Sequence, residues 1–312
     1  MAAGPILSFD SMDLSPDVNL RRLASNQAKP PADVEDAAVI TAAVHQCDEL
    51  AASPEDVHKP ADVAGVTYII GLEATNAAIT ACEKAVALDP TNVRIAYELG
   101  RAFQQGRQTD KALRWYRKAA DQGYAAAQVD LAAIYAHGDG VPRDEANAAV
   151  WYRKAAEQGL ASAQAELGDI YAHGWGVSEN DAQAVRWYRK AADQGLASAQ
   201  VKLGEMYAEG QGVARDEAEA VRWYRKAAEQ GSQSAELRLA AIYDAGRGVA
   251  KDEAEAAAWY RKAAEQGSES AQINLSRRYA TGRGVSKDQA TAIEWFHRAA
   301  EQGDPAPNSF SA

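Results

Sequence analysis

The chain has 312 residues, 47% of them apolar yet with only four phenylalanines, and a formal net charge of −11. No stretch reaches the roughly 18 consecutive apolar residues that a spanning helix needs, so membrane insertion is not expected. The charge is uneven: residues 1–92 carry 14 acidic and 5 basic side chains and the remainder 30 and 28, which leaves no basic stripe for phosphates and argues against a nucleic-acid partner.

The opening stretch, MAAGPILSFDSMDLSPDV, has neither a basic n-region nor a continuous apolar h-region. The expected compartment is therefore cytoplasmic by default, and periplasmic or secreted if a signal has been removed. Residues 1–33 mix Asp, Ser, Asn and Pro, a composition that predicts a disordered leader. From Val34 a helical pattern begins, with Ile40, Val44, Cys47 and Leu50 on one apolar face, and Ser53-Pro54 stops it. The run Val66–Ile70 is too short to assign to helix or strand. A second helix is predicted from Thr75 to Leu88, ending at Asp89-Pro90, where proline can open the next one.

From there one sentence is repeated. Trp115-Tyr116, Trp151-Tyr152, Trp187-Tyr188, Trp223-Tyr224, Trp259-Tyr260 and Trp295-Phe296 follow one another at intervals of 36 residues. Fixed-period self-similarity of this length marks a solenoid built of stacked helix pairs. In the copy Leu196 to Gly231, Leu203 and Tyr207 share one stripe of a first helix. Gly210 and Gly212 bracket a turn that favours left-handed backbone. Asp144, Asn180, Asp216, Asp252 and Asp288 recur where a helix N-cap is needed, and Ala220, Trp223, Tyr224 and Ala227 face inward from a second helix that Gly231 closes. Leu99 and Trp115 are 16 apart, but Leu131 and Trp151 are 20 apart, so the later units carry four extra residues, the GxGV loop.

The early units, through Ala78, Cys82, Ala85 and Pro90 and then Leu99, Gly100, Phe103, Ala112, Tyr116 and Ala119, resemble the tetratricopeptide repeat. The later ones, with AQxxLGxxY, GxGV and WYRKAAEQG in phase, resemble the Sel-like repeat (SLR), over more than half of the chain. The resemblance implies an all-α fold, a right-handed α-solenoid (superhelix) of antiparallel helix pairs. Its expected divisions are the leader 1–33, an N-terminal helical module with half a tetratricopeptide-like unit (34–90), one such unit (91–123), five SLR units (124–303) and a tail (304–312). The last unit shows no polar cap around Trp295 and Phe296, so this end is expected either to continue in the native protein or to pack on a partner or a second copy.

No catalytic signature interrupts the array: there is no P-loop, HExxH, GxSxG or paired CxxC. No cofactor and no metal is expected. His137 and His173 hold equivalent positions; two histidines make a poor site without a third ligand, which Glu209 in the same row could supply, and the reading preferred is two solvated histidines at a helix end. The Trp-Tyr stripe reads as core. The Arg-Lys pairs after it (Arg189-Lys190, Arg225-Lys226, Arg261-Lys262) read as a solvated outer face.

Positions that differ between copies are free to carry recognition. One row on the first helices is Asp130, Glu166, Lys202, Arg238 and Asn274. A second is Ala133, Asp169, Glu205, Ala241 and Arg277, and a third is His137, His173, Glu209, Ala245 and Thr281. Arg94, Tyr97 and Arg101 continue these rows into the tetratricopeptide-like unit. In the resembled superfamily the first helices line a concave groove that binds peptide segments. The resemblance thus implies a non-enzymatic scaffold whose partner is another protein, in a groove running from acidic near Glu166 and Asp169 to basic near Arg238 and Arg277. Trp175, alone between the glycines of its loop, is either a contact or folded onto that loop. The region from Cys47 to Cys82 resembles one that precedes repeat arrays in some bacterial secreted or peptidase-linked proteins. That likeness implies a Cys47–Cys82 disulfide and an alternative role as an accessory part of a peptidase-linked or envelope system; the residues alone leave a plain core thiol open. A third reading, penicillin binding with weak β-lactamase activity as in cysteine-rich SLR proteins, lacks the cysteine pair in each repeat that those proteins carry.

Overall fold

A computed structural model describes residues 34–52, 59, 61–65 and 71–303. The expected leader, the Ser53-Pro54 stop, the Val66–Ile70 run and the tail 304–312 lie outside these residues. Within them the regular structure is entirely α-helical. Fourteen helices follow in order: α1 (Val34–Ala51), α2 (Leu72–Leu88), α3 (Val93–Gln105), α4 (Thr109–Asp121), α5 (Ala125–His137), α6 (Glu145–Glu157), α7 (Ala161–His173), α8 (Asp181–Asp193), α9 (Ala197–Glu209), α10 (Glu217–Glu229), α11 (Gln233–Ala245), α12 (Glu253–Glu265), α13 (Glu269–Thr281) and α14 (Gln289–Gly303). The described residues form two compact parts, divided between Leu131 and Ala132. In the first, α1 packs on α2, α2 on α3, α3 on α4, and α1 also reaches α3. In the second, each helix from α6 to α13 packs on the next. This is an α-solenoid.

The repeated residues explain the pairing. Leu131, Leu167, Leu203, Leu239 and Leu275 are fully buried. In four of the aromatic pairs the tyrosine goes deeper; in Trp259-Tyr260 the tryptophan does, and Phe296 of the last pair is exposed. Tyr116, Tyr188 and Tyr224 are among the largest fully buried side chains. Their rings lie flat against a glycine of the paired helix, and a Cβ on Gly204 would stand 2.7 Å from the Tyr224 ring. The tryptophans are core as expected at Trp151, Trp223 and Trp259, but only half-buried at Trp115, Trp187 and Trp295.

The Arg-Lys pairs lie exposed on the outer face, as read from the sequence, and also make specific contacts. The lysine three residues after each repeat tryptophan up to Trp259 lies over its ring, 3.7 Å from the centroid for Lys154 on Trp151 and 3.9 Å for Lys190 on Trp187 and Lys226 on Trp223, and Arg298 takes that place on Trp295. This is the helical i,i+3 spacing placing a cation on a π-face. The arginine crosses to the next unit: Arg153 donates to Tyr171 Oη at 2.8 Å and Arg261 to Tyr279 Oη at 2.7 Å, and Arg189 and Arg225 engage Tyr207 and Tyr243 in the same way. These side chains touch water, but their heads are used between and within units.

The caps are made by the residues that predicted them. Asp144, Asn180 and Asp216 accept the N–H three residues on at 2.9–3.0 Å, and Asp252 and Asp288 cap α12 and α14. At the other helix ends a glutamine ladder takes up carbonyls that have no intrahelical donor. Gln164 donates to Ala156 O at 3.1 Å and accepts from Gln194 at 2.8 Å; Gln200 repeats this with Ala192 and Gln230.

The connection α3–α4 has three residues, 106–108, whereas α7–α8 has seven, 174–180. The added loop explains its own second glycine. Gly212 has φ +63°, and a Cβ there would run into the backbone of Asp181 and Ala182 at the start of the preceding unit's second helix.

The N-terminal region departs from expectation in three ways. α2 starts at Leu72 rather than Thr75, and Asn92, accepting from Ile95 N at 3.2 Å, opens α3 in place of Pro90. The buried face of α1 is Ala43, Cys47, Asp48 and Ala51, with Ile40, Val44 and Leu50 only half-buried. And α1 packs directly on α2, a contact that the sequence reading did not make. Cys47 and Cys82 join these helices in a disulfide, with Cα atoms 4.7 Å apart.

Candidate protein-binding surface

Three residues assigned to the groove are removed from it. Tyr97 is 4% exposed, at the centre of an aromatic cluster with Tyr116 and Tyr124, whose ring centroids lie 5.8 and 5.2 Å away. Arg94 pairs with buried Asp48, and Arg101 donates to Ala51 O at the C-terminal end of α1 and to Glu98 at 3.4 Å. The cause is the close approach of α1 to α3, which puts the cationic heads on a helix C-terminus and a buried carboxylate. Asp130, half-buried on α5, lies beside Tyr116 and Tyr97 and helps to raise the pKa of both phenols after burial itself.

Farther along, the variable rows lie at the surface of α7, α9, α11 and α13. Glu166, Lys202, Arg238 and Arg277 are exposed and Asn274 is half-buried, its amide turned onto Ser270 O at 2.8 Å. On α7, Asp169 accepts from Tyr188 Oη at 2.7 Å, and burial followed by neighbouring Asp169 raises the Glu166 carboxyl above its usual value. His173 Nδ1 donates to Asp169 O at 2.8 Å, and Trp175 stacks on the His173 ring at 4.4 Å between centroids. Trp175 therefore folds onto its own unit while keeping 43% of its surface exposed. The α7 face is acidic and aromatic.

On α9 and α11 the rows meet. Glu205 is clasped by Arg238 from the next unit, with Lys202 Nζ 4.0 Å away. Arg238 also lies over the Tyr224 ring, 5.8 Å from its centroid. Between these helices, over α10, opens a recess of about 280 Å³. Glu209, Arg238 and Ala245 from the predicted rows line it, together with Tyr224, Arg215, Glu217 and Arg247, which the sequence reading did not assign to a site. Only the position of Arg247, equivalent to Trp175, hinted at it. Farther on, Arg278 is buried against Asp244 and over the Tyr260 ring at 4.8 Å, an ion pair between units that its exposed neighbour Arg277 had masked.

Among the described residues no group of three His, Cys, Asp or Glu side chains is placed to hold a metal ion, and no helix is long and apolar enough to cross a membrane. The surface offers charge, aromatic faces and a shaped recess, in copies that differ from one another.

Six consecutive segments, 94–124, 125–160, 161–196, 197–232, 233–268 and 269–304, match the Sel1 repeat. The shorter unit read as tetratricopeptide-like is thus counted as a sixth copy that lacks the loop. Two crystal structures are similar over most of the array. One is a protective antigen of uropathogenic Escherichia coli strains displaying an SLR fold, 40% identical, covering 72% of this chain and 49% of that one, with a TM-score of 0.69. The other is a Sel1 repeat protein from Oxalobacter formigenes, 37% identical, covering 67% of this chain and 86% of that one, with a TM-score of 0.63. The chain spans about half the length of the E. coli antigen. A comparison with curated proteins finds no match. With its buried leucines and paired helices in phase with those six segments, the chain belongs to the Sel1 repeat family.

Proposed function

We propose that this chain is a non-enzymatic scaffold that binds a segment of another protein on its first-helix face, over α7, α9, α11 and α13. The observation that carries the reading is a division of labour within the repeat. The residues common to the copies are engaged in packing, caps and contacts between units, whereas Glu166, Lys202, Arg238 and Arg277 vary in charge and stand exposed on successive first helices, Arg238 while also bridging to Glu205. Charge that changes from copy to copy along one face selects a partner by complementarity rather than by apolar area. Affinity capture from a native extract tests it: changing Glu166, Lys202 and Arg238 together to Ala abolishes recovery of the partner at unchanged fold stability. Equal recovery by wild type and variant overturns it.

A further inference from the structure

We propose that the recess between α9 and α11 receives an acidic side chain of the bound segment, whose carboxylate accepts a hydrogen bond from Tyr224 Oη. The proposal rests on the first-helix reading above and names the chemistry of the partner there. Two tyrosines at this repeat position find hydrogen-bond partners inside the chain: Tyr116 donates to Gln104 at 2.6 Å and Tyr188 to Asp169 at 2.7 Å. Tyr224 is 2% exposed and lines the recess, yet its hydroxyl has no hydrogen-bond partner among the described residues. The reason is local. The position of Asp169 is taken by Glu205, one methylene longer and drawn away by Arg238. The hydroxyl is thus left to the water of the recess, which an incoming carboxylate displaces while supplying a charged acceptor.

The surrounding charges favour an anion. Arg215 holds Glu217 and Arg238 holds Glu205, which neutralises both acids. Among the described residues Glu209 and Arg247 remain without an ion pair. An acidic side chain thus meets the Tyr224 hydroxyl and the Arg247 guanidinium, with Glu209 as the single opposing charge. Ala241, Ile242 and Ala245 give its methylenes an apolar wall. Burial, with Glu205 and Glu209 adding and Arg238 opposing, pushes the phenol up to about 12, so it remains a donor throughout the neutral range.

The test uses the full chain, immobilised, and three pools of capped hexapeptides with Glu, Gln or Lys fixed at the third residue and the other positions mixed. The Glu pool is expected to be retained about tenfold better than the Gln pool, the scale of one charge-assisted hydrogen bond. That advantage disappears in Tyr224→Phe and in Arg247→Ala, while the melting temperature of Tyr224→Phe stays at the wild-type value because the hydroxyl bonds no other described residue in the free chain. Equal retention of the pools, preference for Lys, or a Tyr224→Phe chain that retains the Glu pool as wild type does overturns the proposal. A Lys pool retained by wild type and lost on Glu166→Ala would leave the first-helix reading standing while the recess assignment falls.

Discussion

Glu236 breaks the glutamine ladder, and the consequence is a pH dependence confined to one residue. Gln128, Gln164, Gln200 and Gln272 each donate an amide N–H to an alanine carbonyl eight residues earlier. Glu236, 2% exposed, can only accept when ionised, and does so from Gln266 at 2.8 Å. Burial raises its pKa above the ordinary 4.5, with Glu265 adding and Lys262 opposing. The folded state therefore holds the proton to higher pH than the unfolded state, and stability falls as pH rises from 4.5 through the folded value. Glu236→Gln restores a donor worth about 1 kcal/mol; urea unfolding should find the variant more stable than wild type at neutral pH and the difference shrinking in acid. A constant difference across pH would contradict this. The tryptophans grade in the same residue-by-residue way. Trp223→Ala, at 4% exposure, should cost about 3–5 kcal/mol, and the half-buried Trp187→Ala less, both read from denaturation midpoints. Core membership of the Trp-Tyr pair was legible in its 36-residue recurrence. Which ring goes deeper was not, because that depends on the glycine facing it from another helix.

At the scale of elements, the loop between paired helices and the link between α1 and α2 carry the clearest consequences. Gly212 combines a left-handed backbone with a close approach to the preceding unit, so Gly212→Ala should destabilise by at least about 2 kcal/mol. A melting temperature equal to wild type would show that the loop does not bear on its neighbour. Reducing the Cys47–Cys82 bridge, which closes a separation of 35 residues, should lower stability by about 2–4 kcal/mol; mass spectrometry of the unreduced protein showing two free thiols would remove the bridge from the account. Caps and loops were legible because an Asp at an N-cap or a glycine at positive φ answers to chemistry within a few residues of itself. The fate of Arg94, Tyr97 and Arg101 was not. They occupy the right positions of a first helix, and only the packing of α1 against α3 turns them from groove residues into partners of Asp48, Ala51 and an aromatic cluster.

For the whole molecule, repetition and variation divide the labour. A solenoid stabilises each unit through its neighbours alone, so whatever packs must recur and whatever recurs is accounted for by packing. That logic made the family and the all-α array readable from WYRKAA and GxGV. It also pointed to the rows Glu166-Lys202-Arg238 and Asp169-Glu205-Arg277, but not to the recess, since a cavity between α9 and α11 belongs to no single copy. The central claim is that recognition belongs to the variable first-helix face and the repeated motif is frame. A photo-crosslinking residue placed at Ala245, beside the recess, and in a second chain at exposed Ala258 on α12, tests it directly in native extract. The account predicts a discrete adduct from position 245, abolished by the Glu166, Lys202 and Arg238 triple change, and none from position 258. An adduct from 258 with none from 245 would contradict it.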